Sequence, residues 1–268
     1  MIVATSAPSL PLDPGLEALL DHVAERQRSD FGHVAATVKA DGSLITSCDR
    51  WSDETLVRGL ADLFPAEGIL SEEGRLQVPS SSAYWVVDPL DGTTNFAAGI
   101  PYWAISLARF ESGLPTLAIL DVPPLRQRIV AIRGKGAWRN GRPLHPPSLQ
   151  AHRAGCASLC SRSIGVLQKL PDRRFPGKIR LLGVASLNLV SVAMGQTVAA
   201  LEATPKIWDL AAAWLVLHEL ECPLRWLVRT PEGIPAGTDL SDTDFPVLVA
   251  DSAETLEQFM PWADALVS

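Results

Sequence analysis

Cysteine is scarce in this 268-residue chain: Cys48, Cys156, Cys160 and Cys222 are its only thiols, and none forms a C-x-x-C pair. So sparse a set excludes a disulfide framework and suits buried thiols in a reducing compartment. The longest continuous apolar run, Leu210 to Leu217, is far too short for a membrane span. Residues 1–15 carry neither a basic n-region nor a continuous apolar stretch, so no secretory leader is expected and the expected location is cytoplasmic. Basic residues gather in no long run and the net charge is −7, which argues against a sequence-independent grip on a nucleic acid polymer or an anionic membrane. What is present, 47% hydrophobic and 20% charged residues, is the make-up of a chain with a real core, folded as one large domain or two small ones.

Apolar spacing supplies the next layer. Leu16, Leu19, Leu20, Val23 and Ala24 predict a helix over residues 15–29, after a proline-bearing leader at 1–14. Leu56, Leu60 and Leu63 predict a second over 51–63, with a turn or hairpin at 39–49 between them. A short strand at 84–87 is expected to stop at Asp88-Pro89; strands at 104–110, 116–122 and 128–132 follow, and Asn140-Gly141 marks a hairpin turn. Further on, the pattern predicts a helix at 187–195, a strand at 198–203, a buried helix opened by Asp209, a strand at 245–250 and a last helix at 253–266. This alternation predicts a mixed α/β layered fold. Residues 142–153 are read as a connection, giving an N-terminal α+β subdomain at 1–145 and a C-terminal α/β subdomain at 146–268.

Acidic residues stand where packing alone would not ask for them. Glu72-Glu73 follows the apolar 68–70, Asp88 and Asp91 close an apolar strand, Asp209 opens an apolar helix, and Asp49 ends the 39–49 segment. Each alone has an ordinary reading: a solvated face for Glu72-Glu73, a turn for Asp88–Asp91, an N-cap for Asp209, and a surface lysine for Lys39. Together, carboxylates and a strand-end carbonyl suit a hard divalent ion such as Mg²⁺ or Mn²⁺. No histidine has zinc spacing. Crowded carboxylates repel one another unless cations enter, and paired ions roughly 3.5–4 Å apart can clamp a phosphoryl group. A helix starting at Gly92-Thr93-Thr94 would aim free amides at a phosphate, and the Thr93 hydroxyl could orient a water with Glu72 as proton acceptor. Gly134-Lys-Gly136 fits no phosphate-loop pattern and reads as a turn. Trp85, Trp103, Trp208 and Trp214 read as core.

These residues resemble a known family. Trp85-Val-Val-Asp-Pro-Leu-Asp-Gly-Thr-Thr-Asn-Phe96 is similar to the signature of the inositol monophosphatase family of Mg²⁺-dependent, lithium-sensitive phosphatases. Ile207-Trp-Asp-Leu-Ala-Ala-Ala213 resembles its second signature, Ser71-Glu-Glu73 its G-E-E, and the stretch from Lys39 to Thr46 its early K-x-D-x-S-x-V-T motif, all in family order. The resemblance implies an αβαβα sugar-phosphatase sandwich, often dimeric. It implies two or three Mg²⁺ ions, with Mn²⁺ as an alternative. Glu72, Asp88 and the Leu90 carbonyl would hold the first ion, and Asp88, Asp91 and Asp209 the second. Glu73, with Asp49, would surround a weaker third.

In the same resemblance Glu72, Asp88 and Thr93 would be catalytic. The Gly92 and Thr93 amides would bind phosphate, and Asp91, Ala185, Glu202 and Asp209 would line the substrate pocket, Glu202 meeting substrate hydroxyls. The implied activity is hydrolysis of inositol monophosphate or a related polyol or sugar phosphate. Alternatives are a fructose-1,6-bisphosphatase, a 3′-phosphoadenosine 5′-phosphate phosphatase, a histidinol-phosphate phosphatase and a non-catalytic metal-binding relative. The sequence departs from the family pattern at Ser71 (Gly is usual), Val184 (Ser or Thr), Ala199 (Asp), and at 220–222, where Leu-Glu-Cys stands for Ala-Gly-Gly.

Overall fold

Two helices with apolar stripes begin the chain, α1 (Pro14–Asp30) and α2 (Ser47–Leu63), flanking the hairpin β1 (Ala36–Val38) and β2 (Leu44–Thr46). A computed structural model describes residues 12–39, 42–147 and 155–268. Residues 1–11, 40–41 and 148–154, on which parts of the expected leader, the expected turn or hairpin at 39–49 and the expected connection with His152 fall, lie outside the described residues. Next come β3 (Gly68–Ser71), β4 (Ala83–Asp91), the short helix α3 (Thr93–Ala97), β5 (Ala104–Glu111), β6 (Leu114–Val122), β7 (Gln127–Ile132), β8 (Gly136–Arg139) and β9 (Arg142–Pro143). The second half holds β10 (Cys156–Leu159), α4 (Val166–Lys169), β11 (Lys178–Arg180), α5 (Ala185–Ala193), β12 (Ala199–Glu202), α6 (Ile207–Glu219), β13 (Leu224–Trp226), β14 (Val247–Ala250) and α7 (Ala253–Val267).

Strands β3 to β9 form a seven-stranded sheet in chain order, antiparallel except where β3 runs parallel to β4. The later strands form a mixed five-stranded sheet in the order β11-β10-β12-β14-β13. Alternation along β4 shows how the layers assemble. Trp85 and Val87 face Leu20, Leu56 and Leu60 of the outer helices, while Val86 faces the opposite side. There α5 and α6 are sandwiched between the two sheets, with Val190, Leu210 and Leu215 packed among residues of both. Helices α4 and α7 cover the far face of the second sheet through Val166, Phe259 and Trp262. The result is the five-layer αβαβα arrangement. Among the described residues no helix is long and apolar enough to cross a membrane. Cys48, Cys156 and Cys222 are buried, Cys160 is half-buried, and no disulfide joins them.

Three of the boundaries that differ from the sequence expectation involve the acidic residues. Helix α2 starts at Ser47, not near Trp51, because Thr46 caps it: Thr46 Oγ1 accepts from the Cys48 and Asp49 amides, and Asp49 Oδ2 accepts from the Thr46 amide at 2.9 Å. Asp49 therefore belongs to a helix rather than ending the hairpin. Strand β4 does not stop at Asp88 but runs on to Asp91, with a register shift between the pairs Asp88↔Ser106 and Asp91↔Ala104. A shift of that kind accommodates Pro89, which has no amide to give the ladder. Asp209 is not an N-cap; it lies in the first turn of α6, where its Oδ2 accepts from the Lys206 amide at 2.7 Å. The hairpin turn at Asn140-Gly141 is as expected, both residues having positive φ.

Candidate active site

The end of β4 and the first turn of α6 meet across the interface between sheet and helices. Ser106 Oγ on β5 donates to the Trp208 carbonyl at 3.2 Å and ties the start of α6 to the sheet beside Asp88. As a result Asp88, Asp91 and Asp209 each present a carboxylate oxygen within 4.8 Å of the other two. Asp88 and Asp91 are buried. Asp88 Oδ1 accepts from the Leu90 amide at 2.9 Å, and Asp91 accepts from the Ala185 and Ser186 amides at the start of α5. The Ala185 amide is thus directed at Asp91.

Gly92 turns the chain sharply into α3 with φ 105°, and a Cβ there would fall 2.8 Å from Val184 Cγ2. Only glycine fits both the left-handed backbone and that approach. The amides of Thr93 and Thr94 lie in the first turn of α3, where amides have no intrahelical partner.

Beside these three carboxylates, Glu72, Leu90, Gly92 and Thr93 line a cavity of about 360 Å³. Glu72 reaches it because its amide donates to the Val87 carbonyl next to Asp88. Its carboxylate accepts from Lys39 Nζ at 3.0 Å, and Lys39 also donates to Glu73. Lys39, expected at the surface, is therefore drawn into the acidic site. Ser71, where glycine is usual, donates to Asp53 and is buried, so the departure is absorbed by a local hydrogen bond. Thr93 Oγ1 donates to Asp49 Oδ1 at 2.6 Å and to the Leu90 carbonyl at 3.1 Å. The Thr93 hydroxyl thus has a carboxylate partner, Asp49, that lies on α2.

Burial and then repulsion, from Glu72, Asp91 and Asp209 on Asp88 and from Asp91, Glu72 and Glu202 on Asp209, hold both well above the usual carboxylate range. Burial pushes Glu72 up to about 7 against the pull of Lys39, and Asp91 up to about 6 against the Ser186 and Ala185 hydrogen bonds. Burial pulls Lys39 down, but Glu72 and Glu73 outweigh it and leave the ammonium above the lysine range. A set of buried acids that resist ionisation side by side fits a divalent cation, which would reverse the repulsion. The donors are all oxygen and no histidine joins the cluster, which suits a hard ion.

A second cavity of about 210 Å³ adjoins the first, and Asp91, Gly183 and Asp209 line both. Glu202, at the end of β12, and Val184 and Ala185, at the start of α5, lie in its wall. Glu202 is buried, accepts from Asn188 Nδ2 at 2.8 Å, and is pushed by burial to about 8. Asn188 Oδ1 is buried without a hydrogen-bond partner among the described residues. Sequence reasoning missed Asn188, the pairing of Asp49 with Thr93, and Arg162, which lines both cavities. Gly134 and Gly136 form a turn, as expected, whose amides donate to Glu219.

The inositol monophosphatase family model matches residues 15–225. The histidinol-phosphatase of Mycobacterium tuberculosis is 31% identical over 216 residues, 75% of this chain and 82% of that protein. The fructose-1,6-bisphosphatase/inositol-1-monophosphatase of Thermotoga maritima is 30% identical over 205 residues, 75% of this chain and 79% of that one. Among solved structures, an IMPase/NADP phosphatase complexed with Mg²⁺ and phosphate superposes with a TM-score of 0.75 at 25% identity, over 91% of this chain and 93% of its own.

Proposed function

The chain belongs to the inositol monophosphatase family and is a metal-dependent phosphatase, and on that premise we propose that it hydrolyses a polyol or sugar monophosphate, inositol monophosphate among them, with Mg²⁺. The observation that carries the reading is the convergence of Asp88, Asp91 and Asp209 next to a pocket holding the buried Glu202. Glu72, Asp88 and the Leu90 carbonyl would hold one ion; Asp88, Asp91 and Asp209 would hold another. When bound, such ions supply positive charge to the phosphoryl oxygens and make a water acidic enough to attack.

The chain's own groups do the positioning. The Gly92 and Thr93 amides receive the phosphate. The Thr93 hydroxyl, held by Asp49, orients the attacking water, and its proton passes towards the Asp49 carboxylate. Glu202 and Asn188 Oδ1 are acceptors for hydroxyl groups of the alcohol being released. Water and phosphomonoester give alcohol and inorganic phosphate. A cytoplasmic homodimer is part of this reading, supported on the first point by the absence of a disulfide among the described cysteines. So is the division into subdomains at 1–145 and 146–268, which follows the two sheets.

A kinetic panel tests the function: inositol 1-phosphate, fructose 1,6-bisphosphate, 3′-phosphoadenosine 5′-phosphate and histidinol phosphate, each with Mg²⁺. Turnover of inositol 1-phosphate that Asp88→Asn abolishes while the circular dichroism spectrum stays native is the expected result. No turnover of any of the four defeats the reading, and undiminished turnover by Asp88→Asn defeats the assigned site.

A further inference from the structure

Asn95 is not among the residues lining either cavity, yet it grips a segment that shapes both. It lies on α3, on the same short helix as Thr93, and is buried. Its Nδ2 donates to the Leu182 carbonyl at 2.7 Å and to the Tyr102 carbonyl at 2.9 Å, so both amide hydrogens are spent. Leu182 leads directly into the cavity wall. Gly183 lines both cavities, Val184 and Ala185 line the Glu202 cavity, and the Ala185 and Ser186 amides donate to Asp91.

Little else fixes the front of that wall. Strand β11 ends at Arg180 and α5 begins at Ala185. Between them Leu181 and Leu182 are exposed, and among the described residues Leu182 and Gly183 make no other hydrogen bond. Gly183 is close against the same side chain, since a Cβ there would fall 3.2 Å from Asn95 Oδ1. The Tyr102 end of the grip borders the phosphate turn: a Cβ on Gly92 would fall 3.3 Å from the Tyr102 carbonyl oxygen. One buried amide thus ties together α3, the backbone beside Gly92 and the wall at 182–185. We propose that Asn95 is a positioning residue that, through the Leu182 carbonyl, sets the Gly183–Ala185 wall, and with it the alcohol portion of the substrate, relative to the phosphate at Gly92–Thr93. A small displacement of such a wall costs the whole ester its fit and leaves the phosphate site intact. This rests on the phosphatase reading for where the phosphate sits.

The test measures binding of inorganic phosphate and of the non-hydrolysable phosphonate analogue of inositol 1-phosphate by calorimetry in Mg²⁺ buffer. Inorganic phosphate reads the Gly92–Thr93 site alone; the analogue also needs the wall. Asn95→Leu keeps most of the volume and removes both donors. It binds the analogue about tenfold more weakly, the scale of a lost hydrogen-bonded contact, and inorganic phosphate as the wild-type chain does. Asn95→Asp buries a carboxyl beside two carbonyl oxygens, where it keeps its proton and gives one hydrogen bond. Its selective loss is smaller, and it carries the test if the leucine variant does not fold. Equal losses of affinity for phosphate and analogue overturn the proposal, since Asn95 would then hold the phosphate turn or the fold at large. So does unchanged affinity for the analogue, or a wild-type chain that binds the analogue no tighter than phosphate. Turnover is measured separately on the natural esters, so a failed phosphatase reading shows as absent hydrolysis whatever the binding ratio is.

Discussion

Gln27 donates from Nε2 to the Pro89 carbonyl at 2.8 Å, so a side chain in the outermost helix layer holds the middle of the Asp88–Asp91 segment. The same amide nitrogen reaches Ser52 Oγ, and its oxygen accepts from Trp103 Nε1 at 3.0 Å. Gln27 is fully buried, so these bonds are made without competition from water. Replacing it with leucine keeps most of the volume but orphans the Pro89 carbonyl and the Trp103 indole. Each such loss costs about 1–3 kcal/mol. Gln27→Leu is expected to lower stability by about 3 kcal/mol in urea denaturation. It is also expected to raise the Mg²⁺ concentration for half-maximal activity by about tenfold or more, as happens when a supporting contact behind a metal ligand is lost. An unshifted Mg²⁺ curve would show that the carboxylates keep their places without Gln27.

Asp49 serves two structures at once. One carboxylate oxygen takes part in the cap of α2 and the other accepts from Thr93. Thr93→Val is expected to cut kcat by about a hundredfold or more and leave stability nearly unchanged. Asp49→Ala is expected to cut kcat similarly and also to cost about 1 kcal/mol through the lost cap. Because the two groups act as one unit, the double variant should be no slower than the worse single variant. Multiplying losses in kcat would mean that they act independently.

Lys39 competes with any cation for Glu72. Its ammonium occupies Glu72 Oε1 and also bonds Glu73. Lys39→Met removes that internal competitor and leaves two adjacent carboxylates needing a counter-charge. The expected outcome is a Mg²⁺ activation curve shifted to lower concentration by severalfold. A shift in the opposite direction would mean that the ammonium holds Glu72 in its ligating position rather than opposing the ion.

What could be read from sequence was what lies close together along the chain. Asp88, Asp91 and Gly92 fall within five residues at the end of one apolar strand, so their shared site was legible. The strand itself was cut short because Pro89 reads as a breaker, and the register shift that admits it leaves no sequence mark. The Thr93–Asp49 bond joins residues 44 apart, and Lys39 meets Glu72 across 33; such pairings come from the packing of α2 and β3 against β4 and of α3 against β2. Gln27 did carry a signal. It continues the buried stripe Leu16, Leu20, Val23, Ala24, and a polar residue on an apolar helix face calls for buried partners. Arg162 carried none, since its place at the cavity mouth depends on Thr204, far along the chain.

Metal removal should couple stability to pH in a definite direction. Burial and mutual repulsion hold Asp88 and Asp209 well above the usual range, while Glu72 titrates at about 7, Asp91 at about 6 and Glu202 at about 8. In the unfolded chain these acids titrate near about 4. Between about pH 4 and pH 8 the folded, metal-free protein therefore holds more protons than the unfolded chain, so its stability falls as pH rises. Mg²⁺ binds the ionised folded form and opposes this fall. At a hundredfold excess over its dissociation constant it adds about 2.7 kcal/mol, and it binds more tightly as the ligands lose their protons. Calorimetric melting with a chelator should give a Tm that declines steadily from about pH 5 to about pH 8. The rise in Tm on adding Mg²⁺ should be small at the acid end and largest at the alkaline end. A Mg²⁺-induced rise of equal size at both ends would show that these carboxylates are not the groups that bind the ion.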